Sequence, residues 1–236
     1  MGRAMPHPLD RPLWNALTGR LKAYALGDDH AVRINPDLGV FLAAADAGPD
    51  SRAAMNRLAA LHPGSGFVEL EGGPMEDVLP DQPVVSRSPC LQMTCTALTA
   101  PTAPDIAFET LGDADAPEML ALATLTKPGP FRARTHELGG FIGVKHEERL
   151  VAMAGNRLRV DGFTELSGVC VHPDFRGRGL AGALSRIVVA RVLESGEQAF
   201  LHAYAGHEAT VRLYESLGFE ARARLTYTVL ADAPIG

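Results

Sequence analysis

The sequence predicts an α/β fold of the α+β kind: a mixed central sheet flanked by helices, with an additional α/β half ahead of it. Three observations carry this expectation. From residue 105 the elements read strand, helix, three strands, helix, strand, helix, strands, which is not a simple alternation of strand and helix. Leu180, Leu184, Ile187, Val188 and Val192 recur at helical spacing and mark one buried stripe. A polar, glycine-rich turn, His172 to Gly179, joins the strand Thr164 to Val171 to that helix.

In the first hundred residues Ala23 to Leu26 and His30 to Ile34 suit short strands, and Val40 to Ala45 is an apolar run. A helix is expected over Ser51 to Leu61, stopped by His62-Pro63-Gly64, where proline removes an amide donor and glycine adds backbone freedom. Gly66 to Leu70 and Leu91 to Ala97 read as strands, with Pro74, Pro80 and Pro83 punctuating the loop between them. The connector Ala100 to Pro104 suggests a boundary, giving an N-terminal half over 1–100 and a second domain over 105–236.

Beyond it, Ile106 to Leu111 suits a strand, and Asp115 with Glu118 fits a capping box opening a helix to about Thr126. Pro128-Gly129-Pro130 ends that helix. Phe141 to Val144 and Arg149 to Val160 form a meander with Lys145 to Glu148 as its turn. Gly196 stops the long helix, and Ala199 to Tyr204 is a strand. Thr210, Leu213, Tyr214 and Leu217 form a second helical stripe closed by Gly218, with Phe219 to Ala221 and Leu225 to Leu230 as the last strands.

Composition bounds the function. The 236 residues are 46% apolar and 21% charged, ordinary for a globular chain able to bury a core. A net charge of −6 argues against a broad nucleic-acid surface, so an anion site has to be built locally. Three cysteines, Cys90, Cys95 and Cys170, without dense spacing predict neither a disulfide framework nor a metal site. The N-terminal stretch has no long apolar run, and Pro6 stands where a myristoylation signal wants Ser or Thr. The expectation is a cytoplasmic protein without a membrane partner.

The chemistry concentrates in Val169-Cys170-Val171-His172-Pro173-Asp174-Phe175-Arg176-Gly177-Arg178-Gly179-Leu180-Ala181. The first amides of a helix lack partners, and with the helix dipole they attract anionic oxygens. Gly177 and Gly179 let the backbone approach a phosphate, while Arg176 and Arg178 add positive charge. Gly177 to Gly182 also reads as the dinucleotide fingerprint G-x-G-x-x-G. A polar loop intervenes after the strand, no acidic residue ends the next strand at His202-Ala203-Tyr204, and too little chain follows for a doubly wound sheet.

The segment resembles motif A of the GNAT acetyltransferase superfamily, Q/R-x-x-G-x-G/A, with Arg176, Gly179 and Ala181 at the defined positions. The resemblance implies that amides over Arg176, Gly177, Arg178, Gly179, Leu180 and Ala181 hold the pyrophosphate of acetyl-CoA, and that Val169 and Val171 offer backbone groups to the pantetheine. Ala209 to Phe219 resembles the family's final helix and strand, which implies that Tyr214 protonates the departing thiolate. His207 stands where relatives usually carry an asparagine that contacts the coenzyme. Phe200 to Tyr204 with the two motifs looks most like the glycine N-acyltransferase-like branch, and the N-terminal half is expected to be a degenerate GNAT-like unit.

The implied reaction is direct transfer of acetyl to a primary amine in a ternary complex, with no metal. Family bases map to the strand before the loop, at Glu165 and Ser167. Side-chain alternation places Glu165, Ser167, Val169 and Val171 on one face, making Glu165 a candidate base and Cys170 a core residue. His202 is a second candidate, because imidazole titrates near neutral pH. The acceptor, a small amine, an amino acid or a protein amine, is expected among Phe131, His136 and Gly139-Gly140. A non-catalytic acyl-CoA-binding module is the alternative.

Overall fold

The computed structural model describes residues 7–99 and 106–231. The expected connector Ala100 to Pro104 and the Met1 to Pro6 segment lie outside the described residues. The order of elements is α1 (Pro12–Thr18), β1 (Ala25–Gly27), β2 (Ala31–Ile34), β3 (Leu42–Ala44), α2 (Pro49–Leu61), β4 (Gly66–Leu70), β5 (Val84–Cys95), β6 (Glu109–Thr110), α3 (Ala116–Thr126), β7 (Ile142–His146), β8 (Arg149–Val160), β9 (Phe163–Val171), α4 (Leu180–Glu194), β10 (Gln198–Tyr204), α5 (Glu208–Leu217) and β11 (Glu220–Leu230).

Eight strands form one mixed sheet in the order β4-β11-β5-β10-β9-β8-β7-β6, and β1-β2-β3 form a small second sheet. Within the large sheet β9 and β10 are parallel, which requires the intervening crossover helix α4. Packing of α4 and α5 on one face buries Leu184, Val188, Val192, Tyr214 and Leu217 against Leu166, Leu201 and Ala203. On the other face α3 covers Met153 and Cys170, while N-terminal residues such as Leu13, Leu17 and Phe41 pack on Leu158, Val160, Phe163 and Phe200. The N-terminal half therefore shares a core with the rest, and β5 lies between β11 and β10. The expected boundary divides the chain but not the sheet.

Several local expectations change. Helix α1 has no counterpart in the sequence reading. Strand β5 begins at Val84, well before Leu91, because the long β11 pairs with it across Pro89. The expected strand Ile106 to Leu111 shrinks to a two-residue edge, β6. The last two strands are one, β11, with an irregularity between Ala221 and Ala223. Asp115 and Glu118 do not form a capping box: Asp115 accepts from the Gly112 amide and Lys145, while Glu118 accepts from the Leu150 amide at 2.7 Å. Asp115 thus caps the short turn before α3 and pairs with Lys145, while Glu118 is drawn to β8.

Candidate active site

The site begins where the sheet opens. Strands β9 and β10 pair only at Phe163, Thr164 and Glu165 with Gln198, Ala199 and Phe200. Beyond these, β9 keeps β8 and β10 keeps β5, so the two strands part. A cleft of about 850 Å³ lies in the gap, lined by the N-terminal end of α4 on one side of the sheet and by Phe41, Cys90 and Arg157 on the other.

At the α4 end the backbone makes the site. Gly177 and Gly179 adopt left-handed conformations, φ 74° and 76°, which disfavour any side chain. A Cβ at Gly177 would meet no atom within 4 Å, so this turn faces open space. Intrahelical bonding starts with the Ala183 amide on the Gly179 carbonyl; the Arg176 amide is spent on the Pro173 carbonyl, which leaves the amides from Gly177 to Gly182 to bind an anion. Arg176 is exposed. Arg178 lies 4.6 Å over the Phe175 ring and donates to the Asp174 carbonyl, which holds its charge beside the turn. A pyrophosphate fits this donor set. His207 ends its approach at the N-cap of α5, its ring edge-on to Tyr204 at 5.2 Å.

Strand alternation does not survive along β9. One residue of β8, Ala154, faces two of β9, Gly168 and Val169, between the pairs Met153↔Cys170 and Gly155↔Ser167. This is a β-bulge, and Gly168 takes φ 65° there. The bulge reverses the parity. Val169 and Val171 pack toward α4, whereas Glu165 and Ser167 lie on the opposite face with Cys170. The expected common face for Glu165, Ser167, Val169 and Val171 is therefore corrected; an inserted residue is invisible to a strict period of two.

A second irregularity, on β8, sets Arg157 and Leu158 opposite Glu165. Consequently Glu165 accepts from Arg157 Nε and Nη2, both at 3.0 Å, and from the Leu158 amide at 3.2 Å. His202 Nδ1 completes the set at 2.9 Å. Burial works against its ionisation, but the Arg157 guanidinium and then His202 hold the Glu165 carboxyl down at about 2. On the far side of the ring, His202 Nε2 lies 3.2 Å from Gln92 Nε2. Arg222 donates to Gln92 Oε1 at 2.6 Å, which fixes the amide, and Gln92 Nε2 donates to the Leu9 carbonyl. With the remaining Gln92 amide hydrogen directed at His202 Nε2, Nδ1 is the ring nitrogen that donates to Glu165.

Tyr214 projects from α5 into the cleft, 8% exposed, and its hydroxyl makes no hydrogen bond among the described residues. Burial, with a smaller effect from Cys170, pushes its phenol up to about 12. The same burial pushes the cleft thiols Cys90 and Cys170 up to about 11.

The expected acceptor wall is only partly right. His136 pairs with Asp113 at 3.0 Å, and a Cβ on Gly139 would sit 2.5 Å from that of Asn156, so these residues pack away from the cleft. Phe131 is edge-on to Phe141 and lines a neighbouring cavity of about 470 Å³. The cleft wall comes instead from Lys127 to Pro130 after α3, and from Phe41, Tyr204 and Tyr227. Sequence reasoning missed Arg157, Gln92 and Arg222; polar residues at strand positions facing a buried layer were the available signal. Among the described residues no group of three or more His, Cys, Asp or Glu could hold a metal ion, and no helix is long and apolar enough to cross a membrane.

The sheet thus splays between two parallel strands, with an anion-binding turn at one mouth. Residues 141–229 match the family model described as FR47-like protein. The chain is 40% identical to a Novosphingobium aromaticivorans protein of the GNAT acetyltransferase family, whose crystal structure superposes with a TM-score of 0.83 over 97% of this chain and 100% of that one. The chain belongs to the GNAT acetyltransferase family. A GCN5-related N-acetyltransferase from Kribbella flavida shares the fold at 19% identity and a TM-score of 0.62, covering 92% of this chain and 93% of that one. A GNAT-family acetyltransferase from Colwellia psychrerythraea does so at 15% and 0.53, covering 91% and 96%. No curated protein sequence matches significantly.

Proposed function

We propose that the protein is an acetyl-CoA-dependent N-acetyltransferase that moves acetyl directly to a primary amine in a ternary complex. One observation carries the reading: a single cleft joins a phosphate-binding helix terminus to a buried tyrosine and then to the opposite face of the sheet. Bound acetyl-CoA supplies the activated thioester. The turn from Arg176 to Ala181 holds the pyrophosphate, the backbone of Val169 and Val171 holds the pantetheine, and His207 contacts the coenzyme from α5.

Tyr214 donates the proton that the leaving thiolate takes up. Burial pushes the Tyr214 phenol up to about 12, which keeps it protonated and able to donate. Glu165, filled by four donors, serves as a positioning group that orients His202 through Nδ1, as a carboxylate orients a catalytic imidazole. His202 is the base we retain, since it stands on β10 where the sheet opens and carries the imidazole that Glu165 orients. The glycine N-acyltransferase-like branch rests on Phe200 to Tyr204 and the two motifs alone. The N-terminal half, read as a degenerate GNAT-like unit, serves as the acceptor-side wall.

The test is thiol release from acetyl-CoA with a panel of amines. Tyr214→Phe is expected to lower kcat about 100-fold while acetyl-CoA affinity stays within about twofold. Unchanged turnover would remove Tyr214 as the acid. Acetyl-CoA binding without turnover on any amine or protein acceptor would favour the non-catalytic module.

A further inference from the structure

The acceptor arm of the cleft is rich in hydrogen-bond donors and poor in acceptors. Its carboxylate, Glu165, already accepts from Arg157 twice, from His202 and from the Leu158 amide, so it has no capacity left for a cationic amine. Arg157 gives Nε and Nη2 to Glu165 and keeps Nη1 without a protein acceptor among the described residues. Its guanidinium lies 4.8 Å over the Phe41 ring, which fixes the plane of the fork. Tyr227 lies edge-on to the same Phe41 ring at 6.3 Å and 6.4 Å from the Tyr204 ring, and both phenols line the cleft with Arg157. Neither phenol oxygen has a hydrogen-bond partner among the described residues. Tyr227 is seated against Gly66, where a Cβ would come within 2.9 Å of its ring. Lys127 adds a further cation at the mouth, and it occupies a left-handed conformation, φ 51°, that glycine would adopt more easily.

Resting on the acetyltransferase reading, we propose that the acceptor is an amine that also carries a carboxylate, and that Arg157 Nη1 with the Tyr204 and Tyr227 hydroxyls binds that carboxylate. A ligand must supply the acceptors that the arm lacks, and a carboxylate matches a guanidinium edge flanked by two phenols. Seating it there turns the amine of the same molecule toward the gap between β9 and β10, where Tyr214 lies. The aromatic walls Phe41, Tyr204 and Tyr227 suit an apolar body between the two groups.

The experiment compares pairs that differ only in the carboxylate: L-phenylalanine with phenethylamine, and L-leucine with isoamylamine. Binding to the CoA-loaded protein is measured by calorimetry, and thiol release with acetyl-CoA is measured alongside. Each carboxylate-bearing member is expected to bind at least about tenfold tighter than its partner. The double variant Tyr204→Phe, Tyr227→Phe keeps both rings and is expected to reduce that preference about tenfold, with acetyl-CoA affinity as the check on folding. Equal affinity within pairs, no binding of either amino acid, or a preference that survives the double variant would overturn the proposal. Loss of acetyl-CoA binding by the wild type would instead overturn the reading beneath it.

Discussion

The two ends of the cleft are built by opposite means. At the α4 end one contiguous stretch, Val169 to Ala181, does the work with backbone amides, and its cost is left-handed backbone at Gly177 and Gly179. At the acceptor end the parts come from Phe41, Gln92, Arg157, Glu165, His202 and Tyr227, scattered over the chain, and the cost is desolvated charge. A backbone site needs only the right turn, so it tolerates variation in side chains. A side-chain network needs every member, because a partner left alone stays buried and charged.

That contrast predicts unequal sensitivity. Arg157→Met leaves Glu165 buried without its main counter-charge, and a stability loss of about 3–5 kcal/mol is expected from urea midpoints. The double variant Arg157→Met, Glu165→Leu should recover most of it. A loss below about 1 kcal/mol for the single variant would mean that the pair is solvated and the two ends are not so different.

Acid should act on the same network. The Glu165 carboxyl stands at about 2 in the folded protein against an ordinary 4.5, so the fold binds its proton less readily than the unfolded chain does. Its stabilising effect, about 3 kcal/mol, is complete above pH 4.5 and is lost as pH falls toward 2. Urea midpoints measured across that window should fall more steeply for the wild type than for Glu165→Gln. Parallel profiles would show that Glu165 is not held ionised.

A smaller effect probes the bulge that joins the two ends. Gly168→Ala puts a side chain at φ 65°, with its Cβ 2.7 Å from Phe141 Cε1. A loss of about 1–3 kcal/mol is expected, with a lower kcat because β9 loses its change of face. A neutral substitution would show that the bulge is dispensable.

How far each end was legible in the sequence follows from the same contrast. The long helix, its glycine-rich entry, β4 and the limits of β8 were readable, because spacing and turn chemistry within a short window determine them. The placement of Val169, Val171, Arg176, Tyr214 and His207 along the cleft followed from contiguous motifs. Arg157, Gln92 and Arg222 were legible only as polar residues at strand positions, since what brings them into the network around Glu165 and His202 is sheet pairing. The shared face assigned to Glu165 and Val169 failed for a local reason: a bulge costs the sequence only one residue, Gly168, that looks like any other glycine. Helix α1 and the early start of β5 depend on tertiary packing and on pairing with β11, which no window contains.

The most direct test of the two-ended cleft is a calorimetric titration of the protein and of Gly179→Asp with acetyl-CoA, with NAD as the control ligand. The aspartate puts a carboxylate at the α4 terminus, against the proposed pyrophosphate. Saturable binding of acetyl-CoA by the wild type, weakened about 100-fold or more in a folded Gly179→Asp and absent for NAD, is the predicted result. Equal binding of acetyl-CoA by the two proteins, or none by the wild type, would contradict it.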